Sequence, residues 1–127
     1  MKLLLDTHIL LWAAEDSLPE EAAEYISDMS NMLFFSSASI WEIVIKGGLG
    51  RTDFIVDTAS LHDGLLRAKY NELTISARHA LLVSSLPLLH KDPFDRILLA
   101  QSAYEGIPLL TSDEILTQYP GNIIYIH

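Results

Sequence analysis

The residues with chemical promise in this chain are Asp6, Glu42, Asp92, Asp95 and Asp113. Asp6 closes the short apolar run Lys2 to Leu5, Asp113 lies just beyond Leu109-Leu110-Thr111, and Asp92 and Asp95 open a stretch with helical spacing. Glu42 is the only charge within Ile40-Trp41-Glu42-Ile43-Val44-Ile45, which is apolar nearly all round and therefore expected to be buried. An unpaired buried carboxylate costs several kcal/mol or takes up a proton, so something must compensate it. Carboxylates that converge without cysteine ligands suit a hard, oxygen-loving cation, Mg²⁺ or Mn²⁺, better than zinc. An ion held that way supports phosphodiester hydrolysis by activating water and stabilising charge on the attacking or leaving oxygens.

Each acid also has a plainer reading. Asp6 and Asp113 could cap helices, Asp95 could favour a helix dipole from the first turn, and Glu42 could sit in a buried salt bridge to Arg96 or Lys46. For Asp92 the plain N-cap is the preferred reading, with Pro93 at the first helical position. His90, Lys91 and Arg96 are candidate phosphate contacts, weighed against being ordinary exposed loop charges. His8 reads as packing or hydrogen bonding, and Trp12 and Trp41 as core or partner-interface residues rather than platforms for bases.

The elements that must position these residues are short apolar strands alternating with helices. Strands are expected at Lys2 to Leu5, Met32 to Phe35, Leu73 to Ile75, Pro108 to Thr111 and Ile123 to Ile126. Helices are expected from Thr7, from about Pro19 to Met29 with Ser17 as a possible cap, and from the Ser36 to Ser39 cluster to Lys46, where Gly47-Gly48 ends it. Further helices are expected over about Val56 to Tyr70, from Ser76 to about Ser84, from Asp92-Pro93 to Gly106, and from Asp113 to about Gln118. Such alternation argues for a parallel sheet covered on both faces. Ligands of that architecture bind outside the carboxyl ends of the strands, where Asp6 and Asp113 fall.

Composition narrows the field. The 127 residues are 50% hydrophobic and 20% charged, the make-up of a globular protein of one domain, residues 1–127, rather than a disordered or fibrous one. The chain has no Cys, which excludes disulfides, thiolate metal sites and a cysteine nucleophile. The first apolar run stops after three leucines, too short for a signal peptide, and no stretch is long enough to span a bilayer, so a cytoplasmic protein without membrane partners is expected. Lys plus Arg number 8 against 17 Asp plus Glu, a net charge of −9, which opposes nucleic-acid binding by a broad basic surface. A divalent ion in an acidic cleft can invert the local sign. Walker spacing and a G-x-S-x-G elbow are both missing.

Taken together, Leu4-Leu5-Asp6-Thr7-His8-Ile9-Leu10-Leu11-Trp12, Ser39-Ile40-Trp41-Glu42-Ile43 with Ile45-Lys46, His90-Lys91-Asp92-Pro93-Phe94-Asp95-Arg96 with Ala100-Gln101, and Leu109-Leu110-Thr111-Ser112-Asp113 resemble the signature segments of PIN-domain proteins. The similarity is greatest to the toxin subunits of VapBC-type toxin–antitoxin pairs and runs over essentially the whole chain in order. It implies an α/β, PIN-like three-layer fold with a central, mainly parallel sheet and helices on both faces. It also implies a Mg²⁺- or Mn²⁺-dependent endoribonuclease that leaves 5′-phosphate and 3′-hydroxyl ends. A small cognate antitoxin is implied as partner, with a basic residue reaching the acidic site, in a homodimer or a toxin–antitoxin hetero-oligomer. Exposed apolar residues such as Trp12 and Leu11 are expected to serve that association.

Position by position, Asp6, Glu42, Asp95 and Asp113 match the family's four catalytic, metal-holding acids, with Asp92 the competitor for the third place. Thr7 and Ser39 fall where hydroxyl residues support the acids. The chain departs from the family at Gly47-Gly48-Leu49-Gly50-Arg51, glycine-rich where a basic residue is often seen. Two other classes compete: a catalytically silent PIN-like module that binds protein or RNA, and an acid-pocket phosphotransfer protein. The phosphatase version of the latter needs a second Asp two residues after the first, where this chain has His8.

Overall fold

Leu3 and Leu5 enter one apolar layer and Leu4 the other, the period-two alternation of a strand buried on both faces. That strand is the centre of the architecture in a computed structural model, which describes residues 1–127. The strands are β1 (Lys2–Leu5), β2 (Met32–Ser36), β3 (Asn71–Leu73), β4 (Leu109–Thr111) and β5 (Ile123–Tyr125). They form one sheet in the order β3-β2-β1-β4-β5, and every pairing is parallel. The register sets Leu4 opposite Phe34 on one side and Leu109 on the other.

Six helices, α1 (Thr7–Ala14), α2 (Glu20–Ser27), α3 (Ser37–Gly48), α4 (Thr58–Arg67), α5 (Ala77–Val83) and α6 (Pro93–Glu105), cover the sheet, with 3₁₀ turns at Thr52–Phe54 and Glu114–Gln118. Ile9, Leu10 and Leu11 of α1, Ala22 of α2, Ile43 of α3, and Leu61 and Leu65 of α4 close over Leu3, Leu5 and Phe35. Leu98 and Leu99 of α6, with Leu116 and Tyr119, close over Leu4 and Leu109 on the opposite face. Each fully buried leucine contributes roughly 1.5–3 kcal/mol of transfer free energy. No helix is long and apolar enough to cross a membrane.

Local signals explain where the helices start. Asp6 accepts from the Ile9 amide, Ser36 from Ala38, and Asp92 from Phe94 with Pro93 in the first turn. Ser76 and His79 form a reciprocal capping box on α5, and Gly106 ends α6 in the left-handed region at φ 70°. Five expectations are corrected. Ser17 does not cap α2, whose N-cap is Pro19 without a side-chain bond. The third strand is Asn71–Leu73, two residues earlier than its apolar run, because pairing with Phe34 to Ser36 selects it and a sheet edge tolerates its polar residues. Helix α3 continues through Gly47-Gly48: a Cβ on Gly47 would stand 2.8 Å from the Phe54 carbonyl oxygen, so the glycine serves close packing inside the helix. The segment after Asp113 is a 3₁₀ turn, too short to gain from α-helical spacing. Leu11 is buried in the core, 2% exposed, and is no part of an open surface.

Candidate metal centre

The strand order reverses at β1: the chain moves outward through β2 and β3, then returns to add β4 on the other side. A crevice opens at such a switch point, beyond the carboxyl ends of the two central strands. Asp6 leaves β1 at this edge and Asp113 follows β4, while α3 and α6 bring in Glu42, Asp92 and Asp95.

Asp6 is buried, with one carboxylate oxygen on the Ile9 amide at 2.9 Å and the other accepting from Thr111 Oγ1 at 2.5 Å. Thr111 Oγ1 in turn accepts from the Asp113 amide at 3.0 Å, so one hydroxyl ties the exits of β1 and β4 together. Burial pushes the Asp6 carboxyl above its usual range; the Thr111 and Ile9 bonds oppose that, and negative charge at Glu42 adds to it.

Glu42 is buried as its apolar surroundings predict, and the compensation is Lys46 rather than Arg96. Lys46 Nζ lies 2.6 Å from Glu42 Oε2 and 2.9 Å from Asp92 Oδ2, while Thr7 Oγ1 donates to Glu42 Oε1 at 2.6 Å. Ser39 Oγ lies 2.9 Å from the same Thr7 hydroxyl. The Lys46 ammonium also stands over the Phe54 and Phe94 rings, 5.1 and 5.6 Å from their centroids. Burial works against the ammonium, but the two carboxylates outweigh it and raise Lys46 above its ordinary value. For Asp92, burial is likewise outweighed, by Lys46 and the Phe94 amide, and its carboxyl is held below the usual range.

Asp95, Asp113 and His90 come together on the far side of the crevice. His90 Nε2 is 2.6 Å from Asp95 Oδ2 and 3.7 Å from Asp113 Oδ2, and one donor atom from each residue falls within 4.8 Å of the others. Burial first, then the negative charge of Asp92, push the Asp95 carboxyl up to about 6, with Glu42 adding to the rise and His90 opposing it. Two carboxylates and an imidazole with donor atoms this close are a donor set that fits a divalent cation. Asp6 and Glu42 stand outside that set, their oxygens engaged by Thr111, Ile9, Thr7 and Lys46, yet the charge on Glu42 is felt at both Asp6 and Asp95.

The basic candidates divide. Arg96 is buried, not an exposed loop charge: its guanidinium donates to the carbonyls of Val83, Leu86, Pro87 and His90 and to Tyr119 Oη. It can hold the loop before α6 but not a phosphate. Lys91 is exposed. His8 pairs with Asp53 at 3.2 Å and packs edge-on against Phe54. The sequence offers Lys46 only as a salt-bridge partner of Glu42, and nothing in it singles out Thr111. The signal for Lys46 is its place one helical turn after the buried Glu42.

The doubly wound parallel sheet with acids at its switch point defines an acid-pocket α/β protein. The chain belongs to the PIN domain family, whose model matches residues 3–122. Among solved structures, it is similar to a chain of VapBC2 from Rickettsia felis bound to a DNA fragment from their promoter, with 18% identity, TM-score 0.74, and coverage of 98% of this chain and 97% of that one. It is also similar to VapBC-1 from nontypeable Haemophilus influenzae (18% identity, TM-score 0.68, 98% of each chain). A toxin–antitoxin complex from Klebsiella pneumoniae gives 21% identity, TM-score 0.62, and 96% and 95% coverage. At these identities the likeness is one of fold. No curated protein matches the chain.

Proposed function

We propose that this protein, acting as one domain over residues 1–127, is a Mg²⁺- or Mn²⁺-dependent endoribonuclease and the toxin of a toxin–antitoxin pair. The observation that carries the reading is the convergence of Asp95, Asp113 and His90 within 4.8 Å at the switch-point crevice, with buried Asp6 and Glu42 beside them. Asp95 and Asp113 would hold the ion, and Asp6 and Glu42 would complete the acidic wall directly or through water. When bound, a divalent ion there neutralises phosphodiester charge and lowers the pKa of a coordinated water. Glu42, held by the Thr7 hydroxyl, would position the attacking water. Thr111 fixes the Asp6 carboxylate, and exposed Lys91 is available to an RNA phosphate. The names of the fold neighbours, VapBC and toxin–antitoxin complex, support an antitoxin partner. A basic antitoxin residue suits a crevice this acidic, and the assembly is a homodimer or a toxin–antitoxin hetero-oligomer in the cytoplasm.

Lys46 favours a second reading, a PIN-fold module that binds without cutting, because its ammonium already neutralises Glu42 and Asp92. Cleavage of a mixed panel of structured and single-stranded RNAs decides between them, with EDTA and Asp6→Asn as controls. The nuclease reading predicts cutting in Mn²⁺ or Mg²⁺ that EDTA abolishes and the variant loses by about a hundredfold or more. Metal binding measured by calorimetry in wild type, with no cutting of any substrate, supports the silent module; cutting unaffected by both controls rejects the acid site.

A further inference from the structure

His90 reads as an ordinary loop charge in the sequence, yet the structure does not treat it as one. Its backbone N–H donates to Tyr119 Oη at 2.8 Å, and its carbonyl accepts from Arg96 Nη1 at 3.4 Å, so the residue is fixed on both sides of its Cα. Arg96 spends the rest of a buried guanidinium on the carbonyls of Val83, Leu86 and Pro87, which locks the whole approach to His90. The imidazole itself is not sealed in: 23% of its side chain is open to solvent, so an ion can reach it. Preorganised backbone and an accessible ring are what a ligand needs.

The spacing points the same way. Donors on opposite sides of a Mg²⁺-sized ion stand about 4.2 Å apart and adjacent ones about 3 Å. Nε2 lies 2.6 Å from Asp95 Oδ2 and 3.7 Å from Asp113 Oδ2, with 4.8 Å spanning the set, so small side-chain shifts bring all three donors onto one ion. The same ring nitrogen, Nε2, therefore stands close to both carboxylates rather than to Asp95 alone. We propose that His90 Nε2 is a direct ligand of the ion held by Asp95 and Asp113, and that this imidazole makes the centre favour a transition-metal ion such as Mn²⁺ over Mg²⁺. Imidazole is a softer donor than carboxylate and water, and Mg²⁺ is the ion that gains least from it. This rests on the metal-site reading given above and adds a ligand and a preference to it.

The test uses the full chain without RNA, so that binding rather than turnover is read. Mn²⁺ is titrated by electron paramagnetic resonance, Mg²⁺ affinity is measured by competition, and echo modulation reports ¹⁴N coupled to the bound Mn²⁺. Wild type is compared with His90→Gln and His90→Ala, each checked by a thermal melt in EDTA. The expected result is ¹⁴N modulation in wild type that both variants lose. Mn²⁺ affinity should fall at least about tenfold in the variants, no less than the loss of an outer-sphere partner costs, while Mg²⁺ affinity changes by less than about threefold. Mn²⁺ bound by wild type without nitrogen coupling, and equally tightly by the variants, overturns the role of His90 and leaves the carboxylate site standing. Failure of wild type to bind Mn²⁺ at all overturns both. The wild-type spectrum decides the ligand even where a variant folds poorly.

Discussion

Asp95 is held between opposing influences. Burial and the charge of Asp92 push its carboxyl up to about 6, and His90 pulls it back. The same carboxyl titrates near 3.9 in an unfolded chain. Between about pH 4 and 6 the folded protein therefore holds more protons here than the unfolded one, and this group makes the protein less stable as pH rises through that window. Asp6, raised by burial, acts in the same direction; Asp92, held low by Lys46, acts oppositely, its contribution being lost as pH falls. Asp95→Asn removes the disfavoured charge and keeps an oxygen for His90. Taken at face value the shift corresponds to about 3 kcal/mol, which the side chain's partial exposure reduces to about 1 to 2. In EDTA the variant should melt higher than wild type at pH 7 and match it at pH 4; saturating Mn²⁺ should reverse the order at pH 7, because only wild type gains binding energy. Equal melting temperatures in EDTA at pH 7 would show that the crevice does not disfavour this charge. Thr111 makes a separate case: Thr111→Val removes the donor to Asp6, and Mn²⁺ affinity should drop about tenfold while Thr111→Ser restores it. Parallel loss in both variants would assign Thr111 to packing alone.

The loop between α5 and α6 depends on one side chain from the helix that follows it. Arg96 reaches back from α6 to four carbonyls between Val83 and His90, and hydrogen bonds from a buried charged group are worth about 1.5–3 kcal/mol each at most. Arg96→Met should destabilise the protein by about 2 to 4 kcal/mol and speed amide exchange at His90 beyond the global effect, read by hydrogen-exchange mass spectrometry on that loop. A uniform loss of protection across the chain would place Arg96 in the core only. The same element explains what the sequence could and could not reveal. Asp92-Pro93, Ser76 and the Ser36 cluster mark helix starts through local chemistry, so the helices and the acids at their first turns are legible. Lys46 was among the named partners for Glu42 because one turn separates them. The bonds from Thr111 to Asp6 and from Arg96 to Val83 join residues 105 and 13 positions apart, and only the tertiary fold, sheet in one case and helix packing in the other, brings them together. Strand β3 was displaced by two residues for a related reason: its identity is set by the neighbour it pairs with, not by its own hydrophobicity.

For the molecule as a whole, charge and exposed apolar surface lie close to one another. The chain carries −9 overall, and the crevice gathers Asp6, Glu42, Asp92, Asp95 and Asp113. Glu42 faces inward on α3, while Trp41, Val44 and Ile45 on the same helix and Leu49 just beyond it are 59%, 53%, 41% and 76% exposed. A stripe of that kind on an otherwise amphipathic helix suits a protein partner, and it replaces the surface expected around Leu11. An antitoxin that pairs an apolar helix with a basic segment would cover the stripe with one part and reach the acids with the other. Val44→Asp tests this without touching the crevice. Its stability should stay within about 0.5 kcal/mol of wild type, and affinity for the proposed antitoxin should fall about tenfold or more. Raising the salt concentration should weaken the wild-type complex further, because the basic segment is screened while the apolar contact is not. Sedimentation of the isolated chain separates the other occupant: a homodimer that Val44→Asp dissolves, with antitoxin affinity unchanged, would assign the stripe to a second copy of this protein instead.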